Sequence, residues 1–163
     1  MSCIKIGRLI FHLMAFVCLS SYAQYGNEQK KPSISSIVQS RNYSFIPQSA
    51  TTNKGKTIQL SYGYDLKLMK DSLSVYLPYY GRAYNAGYQA NNDIGIEFNS
   101  HDFIYSADST KKQSWEITIK PKGAKVSSLF ISVTANGYSI VRVTSNDRDP
   151  ISYYGIIKEN PAQ

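Results

Sequence analysis

The chain has 163 residues, 42% hydrophobic and 18% charged, which excludes wholesale disorder and suits one domain with its own core. Its formal charge is +7, yet Lys and Arg stand in ones and twos among carboxylates, so there is no basic stripe of the kind that binds nucleic acid. No apolar run approaches the roughly 20 residues of a membrane-spanning helix.

Residues 1–23 have the three parts of a secretion signal. Lys5 and Arg8 supply the positive start, Leu9 to Leu19 is apolar except for His12, and Ser21-Tyr22-Ala23 puts small residues at the −3 and −1 positions. Cleavage is expected between Ala23 and Gln24, and the mature protein is expected in the periplasm or outside the cell. Cys3 and Cys18 both fall inside this segment, so the mature chain has no cysteine and no disulfide. A lipoprotein reading of Cys18 suffers from Phe16 and Val17, bulky residues where small ones are needed.

Residues 24–32 are polar and read as a flexible N-terminal segment. Ser33 then caps a short helix running to about Asn42, with Ile34, Ile37 and Val38 on one face. Beyond Tyr43 the period is two. Ile58, Leu60, Tyr62, Tyr64, Leu66 and Leu68 alternate with polar residues and predict one long strand. Lys70-Asp71 turns the chain, and Leu73, Val75 and Leu77 return as the second arm of a hairpin. Gly81 to Asn92 is the longest irregular stretch. Ile94, Ile96 and Phe98 form a strand expected to pair with Phe103–Ala107 across Asn99-Ser100-His101. Strands follow around Trp115–Lys120 and Leu129–Thr134. Asn136-Gly137 predicts a type I′ hairpin turn, with Ser139, Val141 and Val143 on its far side. Ile151, Tyr153 and Gly155 lie on the last strand, and residues 159–163 read as a tail.

Short connections without helices between strands exclude parallel pairing. The fold class is therefore mainly β: an antiparallel β-sandwich or flattened barrel of about eight or nine strands with one short N-terminal helix, a single domain over residues 33–158. The expected core comprises Ile58, Leu60, Leu66, Val75, Leu77, Ile96, Trp115, Ile117, Leu129, Ile131, Val133, Val141 and Val143.

The stretch Leu77-Pro78-Tyr79-Tyr80-Gly81-Arg82-Ala83-Tyr84 is followed by Gly95-Ile96-Glu97-Phe98, Tyr105, Asn136-Gly137, Arg148 and Ile151-Ser152-Tyr153-Tyr154-Gly155. In this order these features resemble the bacterial domain-of-unknown-function family 4251, common in Bacteroidetes and usually exported. The likeness spans about residues 34–158. Ser139 departs from the alanine more usual in the family. The resemblance implies export and a compact β-rich domain, and it carries no activity.

Chemistry is sparse. His101 is the only histidine beyond the signal, too few for a zinc site. No phosphate-binding loop, dinucleotide fingerprint or nucleophile elbow occurs, and no cofactor is implied. Asn146, Asp147 and Asp149 precede Pro150 as turn formers and lack the spacing of a calcium loop. Asp65, Glu97 and Glu116 alternate with apolar residues and are expected on a solvated face. The sharpest feature is the loop with Tyr79, Tyr80, Arg82, Tyr84 and Tyr88. Aromatic faces and a guanidinium suit a ligand surface; the same residues also suit an edge cover tied by local hydrogen bonds. The leading reading is a non-catalytic binding or interaction module for an unknown envelope ligand or protein. The alternatives are an envelope hydrolase using carboxylates and tyrosines, or a small lipid or ligand carrier.

Overall fold

The computed structural model describes residues 32–84, 95–110 and 113–161, nearly all of which lie in or between strands of a single sheet. The helix comes first. Ser33 keeps extended geometry and its hydroxyl accepts from the Ser36 amide, which starts α1, Ile34–Ser40. Arg41 ends it in the left-handed region. Ile37 and Val38 are buried, as their spacing requires.

Ten strands follow among the described residues: β1 Asn42–Thr52, β2 Thr57–Gln59, β3 Asp65–Met69, β4 Ser72–Pro78, β5 Gly95–Ser100, β6 Phe103–Ser109, β7 Trp115–Pro121, β8 Val126–Val133, β9 Tyr138–Ser145 and β10 Ile151–Glu159. All pairings are antiparallel. The order is β5-β4-β3-β1-β10-β9-β8-β7-β6, with β2 also on β1. The sheet curls into a nearly closed barrel. Its first and last strands join at the centre of the order, and its two edges are the chain neighbours β5 and β6. Inward side chains such as Phe45, Leu66, Val75, Ile117, Ile131, Val141 and Tyr153 are almost wholly buried.

Several expectations need correction. The long strand from Ile58 to Leu68 is interrupted: β2 and β3 both pair with β1, and the register slips between them. Gly63 has φ +108 there and Tyr62 is fully exposed, so alternation ran through a loop. Ile58 and Leu60 are only half-buried because β2 is a short flank, and Trp115 is half-buried at the start of β7. The sequence reading names no strand before Ile58, yet β1 is central. Its Pro47, where the pairing with β10 shifts, masks the pattern. The expected β5–β6 hairpin does not form. His101 Nδ1 lies 3.2 Å from the Asp71 carbonyl, while the Asp102 carbonyl accepts from the Lys122 amide at 2.9 Å. These contacts draw the two strands to different neighbours.

The Asn136-Gly137 turn is a hairpin but not type I′. Thr134 and Tyr138 bracket a three-residue loop, and only Gly137 has positive φ, +83. This is a type I turn closed by a left-handed glycine. At the C-terminus, β10 runs through Glu159, past the expected boundary at 158. Asn160 is buried, donating to the Leu68 carbonyl at 3.0 Å and to Asn42 Oδ1 at 3.1 Å.

Candidate functional site

Tyr79–Tyr84 leaves β4 and lies against residues 146–150, the turn between β9 and β10. Ala83 and Arg148 form an antiparallel bridge. The Tyr84 amide donates to the Asp147 carbonyl and the Asp149 amide to the Arg82 carbonyl, each at 2.9 Å. Below them, the Tyr153 hydroxyl donates to the Pro78 carbonyl at 2.7 Å. Loop and turn are thus held by backbone bonds between segments more than 60 residues apart, which no local pattern pairs.

Arg148 is the centre of this junction, at 5% exposure. One terminal nitrogen donates to the Gly95 carbonyl at 3.0 Å. Its Nε lies 3.5 Å from Asp147 Oδ1, close enough for charge attraction but long for a hydrogen bond. Its guanidinium also covers the Tyr79 ring, 4.8 Å from the centroid.

The five tyrosine and arginine positions separate into different roles. Tyr79 is a fastener: its hydroxyl donates to the Arg82 and Asp149 carbonyls at 2.9 and 3.0 Å. Burial, and then the charge of Asp149, push its phenol up to about 12, with Arg148 opposing. Tyr84 is exposed, but its hydroxyl donates to Asp149 Oδ1 at 2.6 Å. That hydrogen bond is the main reason its phenol is raised, and the nearby Arg82 charge works the other way. Tyr88 lies outside the described residues.

The side chains of Tyr80 and Arg82 have a different setting. They border a cleft of about 290 Å³ opposite the β1–β2 turn, which contributes Asn53, Lys54 and Lys56; Asp149 is the carboxylate in its lining. Among the described residues, the side chains of Lys54, Lys56 and Arg82 make no ion pair. Tyr80 is 42% exposed. Sequence reasoning missed both lysines. The polar Asn53-Lys54-Gly55-Lys56 turn was visible, but its proximity to Tyr80 depends on the sheet order.

The carboxylates named from the sequence do not gather in this cleft. Asp65 sits on β3 beside Lys67 at 3.7 Å, Glu116 is exposed on β7, and Glu97 lines a separate cleft between β5 and the β7–β8 turn. Among the described residues, no three His, Cys, Asp or Glu side chains are placed to hold a metal ion.

The sequence profile of the domain of unknown function DUF4251 matches residues 25–157, most of the chain. The chain belongs to the DUF4251 family. It is also similar to the crystal structure of a DUF4251 family protein from Bacteroides eggerthii DSM 20697, with a TM-score of 0.57 and 13% identity over 76% of this chain and 83% of that one. At that identity the likeness concerns the fold. None of the curated proteins compared with the chain matches it. Within the DUF4251 fold as this chain builds it, the aromatic stretch after β4 has two parts: Tyr79 and Tyr84 secure the loop, and Tyr80 and Arg82 face the basic cleft.

Proposed function

We propose that this DUF4251 protein is an exported, non-catalytic binding module that holds an anionic ligand in the cleft between the β1–β2 turn and the loop after β4. The observation that carries the reading is three cations, Lys54, Lys56 and Arg82, that make no ion pair among the described residues, around one cleft whose carboxylate, Asp149, is already engaged by Tyr84. A concave site with one dominant sign of charge attracts the opposite charge. Arg82 can meet a carboxylate or phosphate with two parallel hydrogen bonds, and the Tyr80 ring offers an apolar face beside it. Export is supported by the n-region, apolar run and small-residue site ending at Ala23.

The test is titration calorimetry of the purified protein with polygalacturonate, an anionic polymer, and with dextran, a neutral one. Binding to the first only, weakening as salt rises, is expected. Arg82→Ala and Lys54→Ala should each lower affinity about tenfold, the equivalent of one charge-assisted hydrogen bond. Equal binding of both polymers, or unchanged affinity in both variants, would remove the basic cleft from consideration. Mass spectrometry of the protein from its own cells should find Gln24 at the N-terminus; retained residues 1–23 would refute cleavage.

A further inference from the structure

The two edges of the sheet differ in how far they are satisfied. On β5, the Gly95 carbonyl is already taken by Arg148. On β6, the direction of the backbone groups follows from its two ends. The Thr110 amide donates to the Ser114 carbonyl at 2.8 Å, and the Asp102 carbonyl accepts from the Lys122 amide at 2.9 Å. Both fix the even-numbered residues as those whose N–H and C=O point toward β7. In an antiparallel ladder the alternate residues point the other way. The register between β6 and β7 is continuous, so this parity holds throughout. The N–H and C=O groups of Phe103, Tyr105, Ala107 and Ser109 therefore face away from the sheet. No backbone hydrogen bond among the described residues reaches them.

A second observation coincides with the first. The inward side chains of β8 and β9, such as Leu129, Ile131, Val133, Val141 and Val143, are buried, whereas Phe103, Tyr105 and Ala107 of β6 pack on the core only half-covered. Ile104, on the outer face, is 58% exposed. The strand has no proline, lysine or bulge to blunt its edge, and Asp108 is its one charged residue.

We infer that β6 is a docking edge for an extended segment of a partner protein, which adds as a strand beside it. The outward backbone groups of β6 select an extended chain. The half-covered side chains of Phe103 and Ala107 select alternate apolar residues on its inner face, whereas the Tyr105 ring already carries the Arg41 guanidinium 4.5 Å from its centroid and its hydroxyl donates to the Val38 carbonyl. The exposed carboxylate of Asp108 favours a basic residue on its outer face. This surface is separate from the basic cleft and does not depend on its ligand.

Amide hydrogen exchange by NMR on the purified protein tests it, with a synthetic peptide of alternating valine and threonine and lysine at each end as the probe. In the free protein the amides of Tyr105, Ala107 and Ser109 should exchange at least about tenfold faster than those of Ile104, Ser106 and Asp108. The probe should slow the first set about tenfold, and a version N-methylated on alternate amides should not. Ala107→Pro removes one outward donor without touching the β7 ladder, and should weaken probe binding about tenfold while the even-numbered amides stay protected. If that variant does not fold, the N-methylated probe still decides. Equal protection of both sets in the free protein, equal binding of the N-methylated probe, or probe shifts confined to other strands would overturn the inference. Protection of the odd-numbered amides that rises with protein concentration alone would also overturn it, in favour of self-pairing.

Discussion

The Arg148 guanidinium lies over the Tyr79 ring, and the Tyr79 hydroxyl reaches past it to the Asp149 carbonyl at 3.0 Å, so one aromatic residue binds both the side chain and the backbone of the β9–β10 turn. Arg148 in turn holds the first carbonyl of β5. Removing the guanidinium would leave Asp147 without its counter-charge and the Gly95 carbonyl without its donor. Arg148→Ala is expected to destabilise the protein by about 3 kcal/mol in urea unfolding. Arg148→Lys should recover little of this, because an ammonium cannot stack on Tyr79 and keep the same directed bond. A loss below about 1 kcal/mol would show that the junction is not a structural anchor.

The inner and outer faces of the barrel predict opposite sensitivities. Ile131 and Val133 are fully buried, while Ile140 is 51% exposed. Truncating Ile131 or Val133 to alanine is expected to cost about 2–4 kcal/mol. Ile140→Ala should stay within about 0.5 kcal/mol. Chemical denaturation of the three variants tests the assignment of faces directly.

Gly155 sits where β10 passes β1. A Cβ there would lie 2.1 Å from the Ile46 carbonyl oxygen, a backbone atom that cannot rotate aside. Gly155→Ala should therefore destabilise by about 2 kcal/mol or more, read from the urea midpoint. A neutral result would mean that the two central strands separate more easily than their register implies.

Stability should fall in alkali. Burial is the largest cause raising the phenols of Tyr43, Tyr79, Tyr105 and Tyr153 in the folded protein. Above the ordinary tyrosine value of about 10, the unfolded chain loses these protons first, so folding stability declines as pH rises. Below that value the contribution is complete. Thermal unfolding from pH 8 to pH 12 should show the decline, and Tyr153→Phe should make it shallower while costing the hydrogen bond to the Pro78 carbonyl. An increase in stability across that range would contradict the burial of these phenols.

If Tyr80 and Arg82 serve a ligand and not the fold, the double change Tyr80→Ala with Arg82→Ala should shift the melting temperature by only a few degrees, since exposed changes cost under about 0.5 kcal/mol each. Calorimetric unfolding measures this. A variant that fails to fold would place both residues with Tyr79 among the fasteners.

Alternation and turn chemistry made much of this protein legible in its sequence. Ser33 announced the helix, Lys70-Asp71 the hairpin between β3 and β4, and the runs ending at Val133 and Val143 two adjacent strands with buried inner faces. These signals are local, because side chains on a strand have a period of two and turns need particular backbone angles. The sequence also singled out the aromatic stretch around Tyr80 and Arg82. What it did not contain was pairing at a distance. That β1 lies beside β10, that β5 and β6 part company at His101, and that Lys54 and Lys56 stand across from Arg82 all depend on how strands are ordered around the barrel. The same order decided which tyrosines became fasteners: Tyr79 and Tyr84 met Asp149 only because the β9–β10 turn came to rest against their loop. Strand order depends on the closure of the whole core, a long-range condition that no short window of residues expresses.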